Sequence, residues 1–211
     1  QREVWTMSTR YNPSIVRDGL VLYFDAANTK SYPGSGTTWY DLSGNERHGT
    51  LINEPTFQSH NLGCFQFDGT NDRVSFDSTY AKSICFWGRL SSGFADLAAL
   101  VAKTAGGDGA LRVRQTNNGS FNSSPGPNDF HTSSSGIMIN GSKVTTPVGR
   151  TMLQDYFVGA VGGANMMTTI SHNFANRRYK GRVYAVMLYK RDLTDVELLQ
   201  NYNALRGRFG L

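Results

Sequence analysis

The chain of 211 residues is 39% hydrophobic and only 18% charged, which is enough apolar material to bury a sizeable core. No apolar run approaches the roughly 20 residues of a membrane span, so we expect no association with a membrane. The net charge is +5, but the sequence has no nucleic-acid-binding motif, and its basic residues are not interleaved with aromatic ones. A nucleic-acid partner is therefore the weakest interpretation of this charge.

Residues 1–18 form a stretch without a steady hydrophobic period, although they include Trp5 and Tyr11. Such a stretch does not make an element of its own, yet leaving its apolar side chains in water costs roughly 25 cal/mol per Å². We interpret it as an N-terminal arm that is ordered against a neighbouring subunit. The alternative, that the arm packs back on its own domain, stays open. The domain proper is predicted to span residues 19–211.

Short apolar runs between clusters of Gly, Ser and Asn predict β-strands along most of the chain. The stretches 65–67 and 74–76 alternate apolar and polar residues around a turn of Asp, Gly and Asn, which predicts a β-hairpin. Residues 137–144 predict a second hairpin with an Asn-Gly turn, and residues 97–103 with 111–114 predict a third. Further core strands are predicted at 20–24, 83–87, 156–159 and 181–189. We expect the irregular residues 116–136 to form a functional or disordered loop.

A single helix is predicted near the end of the chain, from about residue 194 to residue 205. Thr194 and Glu197 have the spacing of a capping box, in which each side chain bonds the backbone of the other residue. Leu198, Tyr202 and Leu205 then fall on one face of the helix. Gly207 is predicted to close it. The simplest interpretation is that this helix covers an end or a face of the strands.

Four segments resemble the laminin-G-like branch of the concanavalin A-like lectin and glucanase superfamily. They are residues 19–25 (GLVLYFD), 40–45 (YDLSGN), 48–51 (HGTL) and 67–72 (FDGTND). The end of the chain, residues 179–182 (YKGR) and 201–211 (NYNALRGRFGL), is similar to the ends of such domains in tailed-bacteriophage virion proteins. The resemblance implies an all-β fold, a two-layer antiparallel β-sandwich of the jelly-roll, concanavalin A-like type, with a short C-terminal helix.

Catalytic motifs are missing from the sequence. Glycoside hydrolysis normally requires two carboxylates at a set separation, and the glucanase members of the superfamily carry a Glu-x-Asp-x-x-Glu strand. The chain has no such strand, and its four Glu residues lie outside the predicted strands. We therefore expect a protein that is not an enzyme. Cys64 and Cys85 lie in apolar runs without zinc-site spacing, which indicates buried free thiols.

Calcium is the one cofactor that the resemblance suggests, because many laminin-G-like domains hold Ca²⁺ through Asp side chains and carbonyl groups. Oxygen donors stand in the predicted turns at Asp41, Asn45, Asp68 and Asp72. Turns in which Asp and Asn bond their own backbone explain the same residues without a metal, and we favour this second interpretation. We therefore expect no cofactor, with structural calcium as the alternative.

A carbohydrate site would require an exposed aromatic ring with amide groups nearby. The candidates are Trp39, Asn128 and Phe130. For Trp39 we favour a core role over a sugar-binding one, because it stands beside the first turn motif.

The net charge is concentrated at the end of the chain, where residues 172–211 hold eight Lys or Arg and three Asp or Glu. A solvated rim is the simplest interpretation, and docking to an acidic protein surface is the alternative. Combined with the arm, this predicts a partner-binding set of Trp5, Tyr11, Arg177, Arg178, Arg206 and Arg208.

The resemblance to phage proteins suggests a virion structural protein on the particle surface, either a capsid decoration protein or a tail or fibre module. We expect its partners to be other virion proteins, such as the major capsid or tail proteins, and we expect homo-oligomers on the particle. The alternative function is a glycan-binding module that attaches to host-surface glycans. The fold alone does not decide between these two, because function depends on sites carried by the fold.

Overall fold

The computed structural model describes residues 13–94, 98–103, 111–114, 120–121, 137–144, 154–171 and 177–211. Its elements are β1 (Leu20–Asp25), β2 (Thr38–Trp39), β3 (Gly49–Ile52), β4 (Thr56–Gln58), a 3-10 turn (His60–Leu62), β5 (Cys64–Asp68), β6 (Arg73–Leu90), β7 (Ala98–Ala102), β8 (Leu111–Arg114), β9 (Ser120–Phe121), β10 (Ile137–Ile139), β11 (Ser142–Val144), β12 (Tyr156–Ile170), β13 (Lys180–Tyr189) and the helix α1 (Asp195–Phe209). In the described part of the chain, no helix is long and apolar enough to cross a membrane.

The strands form two antiparallel layers that share the long strands β6 and β12. In the first layer, β13 lies between residues 83–90 of β6 on one side and both β1 and β5 on the other. In the second layer, residues 73–75 of β6 pair with β3, and the end of β12 pairs with β7. The pairing of β12 with β6 shifts register between Val161 and Asn165, where the strands pass from one layer to the other. The predicted two-layer β-sandwich is confirmed.

The core lies between the layers and is filled by alternate residues of the long strands. Ile84 and Phe86 point into it, together with Phe24 of β1. Phe24 meets Phe76 of the second layer edge to face, with ring centroids 5.9 Å apart. Cys85 and Trp87 point the other way, towards the outer face of the first layer. Both faces of this layer are therefore apolar, as its nearly continuous hydrophobic sequence requires.

Helix α1 covers the outer face of the first layer with the buried apolar side chains Leu198, Tyr202, Leu205 and Phe209. The predicted capping box of Thr194 and Glu197 is present. The helix runs beyond the predicted end at residue 205 and closes at Gly210, which adopts the left-handed conformation. Phe209 explains the extra turn, because its ring stacks on Tyr184 with centroids 5.0 Å apart. Packing thus overrides the weak helix propensity of Gly207.

The hairpin predicted around residues 68–72 is wrong, although both strands exist. β5 pairs with β4 and β13, whereas the start of β6 pairs with β3 in the other layer. The turn therefore connects two layers instead of two neighbouring strands. The hairpin of β10 and β11 is confirmed, with positive φ at both Asn140 and Gly141. The pairing of β7 with β8 confirms the third predicted hairpin, whose loop lies outside the described residues.

The last residues of the predicted arm pack on their own domain. Ile15 and Val16 are buried under the helix. The backbone N–H of Val16 donates to Oδ1 of Asn201 at 2.8 Å, and the Tyr189 hydroxyl donates to the carbonyl of Val16 at 2.9 Å. Ile15 and Val16 thus pack on their own sandwich, while Ser14, Arg17 and Asp18 stay exposed. Trp5 and Tyr11 lie outside the described residues, and the arm stays a prediction for residues 1–12.

Candidate functional site

Trp39 is fully buried and cannot act as the predicted sugar platform. Its ring is stacked on Phe24 at a centroid distance of 5.0 Å and meets the edge of Phe65 at 4.8 Å. No face of the indole is left for a ligand, so Trp39 has the core role that we favoured, and its candidacy as a glycan residue is wrong. The other two glycan candidates, Asn128 and Phe130, lie outside the described residues. The neighbouring Tyr40 is 41% exposed and contacts His48 edge to face.

The first pair of calcium candidates, Asp41 and Asn45, builds the turn between β2 and β3. Oδ1 of Asp41 accepts from the N–H groups of Tyr23 and Ser43 at 2.8 and 2.9 Å. Its Oδ2 accepts from the hydroxyl of Ser43 at 2.7 Å and from the N–H of Arg47 at 3.2 Å. Asn45 donates from Nδ2 to the Ser43 hydroxyl at 2.8 Å. These bonds fix the turn on β1 and use both carboxylate oxygens.

The second pair, Asp68 and Asp72, builds the turn that connects the layers. Oδ1 of Asp68 accepts from the N–H of Thr70 at 2.6 Å, and Oδ2 of Asp72 accepts from the N–H of Asp68 at 3.0 Å. Burial opposes ionisation of Asp68, but the N–H groups of residues 70–72 outweigh it and lower its pKa. Burial raises the pKa of Asp72, helped by the neighbouring charge of Asp68.

Among the residues that the structure describes, no three His, Cys, Asp or Glu side chains are grouped so that they could hold a metal ion. The hydrogen bonds of Asp41 and Asp68 follow the turn pattern that we favoured from the sequence. The calcium alternative stays a prediction.

The predicted partner-binding arginines have different roles in the structure. Nη2 of Arg208 donates to Oδ2 of the buried Asp25 at 2.8 Å, so this guanidinium serves the fold and is corrected from a docking role. Arg206 is exposed and lies over the ring of Tyr202, with its guanidinium carbon 5.6 Å from the centroid. Arg177 and Arg178 are half-buried, and the carbonyl of Arg177 accepts from the N–H of Ala99 at 3.0 Å. Docking through these three stays a prediction.

The described surface carries an open groove of about 410 Å³. We call it the arginine groove, and its lining residues are Gln66, Arg89, Leu90, Ser91, Ser92 and Arg182. Its volume falls within the range of about 300–1,000 Å³ that is typical of small-ligand sites. Except for Leu90, the lining side chains are polar hydrogen-bonding groups.

The groove is built by strand register in the first layer. Arg182 of β13 stands directly opposite Gln66 of β5 on one side and Arg89 of β6 on the other. Residues opposite each other in an antiparallel pair share a face, so the three side chains form one row. The row lies on the outer face of the first layer, because side chains two positions apart on a strand share a face. The residues two positions away from the row are Cys64 on β5, Tyr184 on β13 and Trp87 on β6. The end of the helix covers these three.

Gly181 allows the two arginine-bearing strands to approach each other. Its φ is +148°, and a Cβ added at this position would clash with the carbonyl oxygen of Arg89. A side chain at this position would push β13 away from β6. The Gly residue before Arg182 therefore maintains the register that sets the two arginines side by side.

A polar network borders the groove on the helix side. The Tyr184 hydroxyl donates to Oδ1 of Asp155 at 2.6 Å, and Nε2 of His60 lies 3.8 Å from Oδ2 of Asp155. Burial, and then the bond to Asp155, raises the pKa of Tyr184. Burial also raises the pKa of the Cys64 thiol to about 11, while Arg182 lowers it. The Tyr184 phenol and the Cys64 thiol are thus neutral near pH 7.

Sequence reasoning missed the groove, since its members come from three strands that are not consecutive in the chain. A usable signal was the placement of Arg89 and Arg182 within otherwise apolar strands. A charged residue in such a run is unusual, because a strand buried on both faces has little place for it. The sequence alone did not show that these two positions are neighbours.

Comparison with known proteins identifies the fold. No family model matches the sequence, and no curated protein matches it. The fold is similar to that of domain 4 of AbnA, a GH43 extracellular arabinanase from Geobacillus stearothermophilus, which was solved in complex with arabinotriose. The TM-score is 0.54 at 12% sequence identity, and the match covers 87% of this chain and 98% of that domain. The lectin-like β-sandwich is therefore the fold of this chain.

Two larger proteins contain the same fold. Trypanosoma rangeli sialidase with the inhibitor DANA is similar at a TM-score of 0.56 and 12% identity over 92% of this chain. The binding domain of Paraclostridial Mosquitocidal Protein 1 is similar at 0.55 and 14% identity over 89%. The chain spans 35% of the sialidase and 52% of the binding domain. It corresponds to a part of each.

These similarities contradict the expectation that the protein is not an enzyme. The fold occurs as a part of an arabinanase and of a sialidase. The missing carboxylate motif argues only against the glucanase type of site, because that motif belongs to one branch of the superfamily. The absence of this motif does not distinguish the chain from other proteins that cleave glycans. The expectation that the protein is not an enzyme, which was based on that absence, is therefore wrong.

Proposed function

We propose that the chain is a glycan-binding module and that the arginine groove is its binding site. The observation that carries this proposal is the row of Gln66, Arg182 and Arg89, held in register across three strands of a rigid sheet. An amide, two guanidinium groups and the hydroxyls of Ser91 and Ser92 match the dense hydrogen-bonding surface of a sugar. A site on strands holds such groups more accurately than a mobile loop would.

The known structures of similar fold support the proposal. The arabinanase domain, which this chain covers almost completely, was solved with a bound arabinotriose. A sialidase and the binding domain of Paraclostridial Mosquitocidal Protein 1 share the fold. Identities of 12–14% carry the fold only, so the assignment of a glycan ligand to this chain depends on its own groove.

A glycan array followed by calorimetry tests the proposal. We expect the protein to bind a defined set of glycans. Arg182→Gln should weaken that binding by roughly tenfold or more, as the loss of a hydrogen bond from a charged group would, and Gln66→Ala should weaken it by a smaller factor, because its amide is neutral. Arg206→Gln removes the same charge outside the groove and should bind like the wild type. If Gln66→Ala and Arg182→Gln bind as tightly as Arg206→Gln, the groove is not the site.

The second candidate is a bacteriophage virion component on the particle surface, which the end of the sequence favours. We propose that helix α1 then contacts other virion proteins or further copies of the chain. Val196 is 75% exposed and Leu199 is 38% exposed on the side of the helix that faces solvent. Apolar side chains in such positions would gain from burial against a partner.

Labelling of intact particles with an antibody to the chain tests this candidate. A decoration protein should lie on the head at a high, fixed copy number, and a host-attachment module should lie at the tail tip. A variant without residues 1–12 keeps residues 13–18 in place. Comparing its binding to particles with that of the full chain measures what the arm contributes. Absence of the chain from purified particles would refute the virion role without affecting the glycan proposal.

A further inference from the structure

Arg89 and Arg182 are neighbours of like charge. They stand directly opposite each other on β6 and β13. Like charges in this arrangement destabilise a sheet. In the part of the chain that the structure describes, no carboxylate forms an ion pair with either guanidinium. An anion bound between the two guanidinium groups would relieve this repulsion.

The surroundings add positive charge to the same end of the groove. Lys180 precedes the pair on β13, and its Nζ approaches the turn at Gly93, next to the lining residue Ser92. Asp68 stands opposite Lys180, but its Oδ1 accepts backbone N–H groups of its own turn. Lys180 thus adds a third cation near this end of the groove, while Asp155 lies towards the helix side and is hydrogen-bonded to Tyr184.

We propose that the arginine groove selects glycans that carry a carboxylate, such as uronic acids and sialic acids, and that Arg89 and Arg182 bind this carboxylate. The inference rests on the proposed glycan-binding function and specifies its ligand class. A guanidinium presents two parallel N–H groups that match the two oxygens of a carboxylate. Gln66 is then placed to bond a ring hydroxyl of the same sugar, because it stands opposite Arg182.

The polarity of the groove also orients the ligand. The carboxylate lies at the end with Arg89, Arg182 and Lys180, and the acidic side chain of Asp155 repels it from the helix side. A neutral sugar can accept hydrogen bonds from the arginine pair, but it leaves the like-charge repulsion of the pair in place. The preference for the charged ligand should therefore weaken as salt is added, since salt screens exposed charges.

The test is an array in which each acidic glycan stands beside its neutral counterpart. Sialylated glycans are paired with their desialylated forms, oligogalacturonates with their methyl esters, and sulfated glycans with unsulfated ones. We expect binding to the carboxylate-bearing members at roughly tenfold or more above their counterparts, lost in Arg89→Gln and Arg182→Gln and kept in Arg206→Gln. Thermal melts of each variant establish that loss of binding is not loss of folding.

The outcomes separate this inference from the proposed function. Equal binding of acidic and neutral counterparts, still lost in Gln66→Ala, overturns the carboxylate preference and keeps the glycan site. Binding of sulfated members alone also overturns it, because the anion is then a sulfate ester. Binding of no glycan by the folded wild type overturns the proposed function and the inference together.

Discussion

Arg208, in the last turn of the helix, contacts Asp25 at the end of β1 in the first layer, and Nη2 and Oδ2 are 2.8 Å apart. The Asp25 side chain is 1% exposed and that of Arg208 is 28% exposed. The Tyr23 hydroxyl donates to the same Oδ2 at 2.7 Å, and the N–H of Ala27 donates to Oδ1 at 3.1 Å. This contact fixes the helix end, and with it Phe209, over the outer face beside the arginine groove.

Arg208→Ala should destabilise the protein by about 3 kcal/mol, the lower end of the range for breaking a buried pair, because Arg208 is partly exposed. The substitution leaves the buried Asp25 carboxylate without its cation. Urea unfolding followed by circular dichroism measures the loss. Arg206→Ala is the matched control on the same helix, and it should cost about 1 kcal/mol or less, since it loses one exposed cation–π contact. Equal effects of the two substitutions would contradict the assigned role of Arg208.

Asp41→Asn should cost roughly 1–3 kcal/mol, because an amide presents one acceptor oxygen where the carboxylate accepts on two. The N–H of Arg47 and the hydroxyl of Ser43 would lose or share their acceptor. Denaturant unfolding compares this variant with Asp77→Asn, whose exposed side chain lies on β6. If Asp41→Asn is as stable as Asp77→Asn in the absence of any metal, the hydrogen bonds accepted by Asp41 do not stabilise the turn.

Glu197 should make the stability of the protein pH-dependent in acid. The hydrogen bond from Arg191 is the largest cause, and with the capping bonds of Thr194 it outweighs burial and lowers the pKa of Glu197 from 4.5 to about 2. A folded pKa below the unfolded value gives stability that is present above pH 4.5 and is lost as the pH falls towards 2. Denaturant unfolding between pH 5 and pH 2 measures this loss.

Glu197→Gln is the matching variant, since Gln also completes a capping box but does not titrate. It should be less stable than the wild type at pH 6 and should show a shallower loss of stability between pH 4.5 and pH 2. Parallel curves for the two proteins over that interval would mean that Glu197 is not the group responsible.

Gly181→Ala should lower the melting temperature and widen the separation of β13 from β6, because the added Cβ overlaps the Arg89 carbonyl. Gly207→Ala is the control, since a Cβ at that helical position meets nothing within 4 Å. It should leave the melting temperature unchanged or raise it, because Ala is the better helix former. A Gly181→Ala protein that melts with the wild type would show that the strand spacing is tolerant.

The sequence predicted what local patterns determine. The Thr194 and Glu197 spacing placed the start of the helix, and the Asn140-Gly141 pair placed a turn. Alternation of apolar residues located β5 and the start of β6, but it carried no information on their partners. β13 lies between β5 and the end of β6, and such pairing joins distant parts of a chain. The hairpin prediction failed for this reason.

The site was beyond reach of the sequence for the same reason. Gln66, Arg89 and Arg182 become one row only when three separate strands are set in register. The need for an aromatic ring in a sugar site made Trp39 a candidate. In the structure its ring packs against Phe24 and Phe65 in the core, because burial of a large aromatic side chain stabilises the fold. Arg208 looked like a docking residue until its partner Asp25 was known.

The most direct test of the central claim is a nuclear magnetic resonance titration of the labelled protein with an acidic glycan that it binds. The account predicts that the backbone signals of Gln66, Ser91 and Ser92 and the guanidinium Nε signals of Arg89 and Arg182 shift together and saturate at one affinity. Signals of the exposed Tyr40 and its neighbour His48 should stay in place. Shifts confined to Tyr40 and His48, with the groove signals unmoved, would contradict the claim that the arginine groove binds glycans.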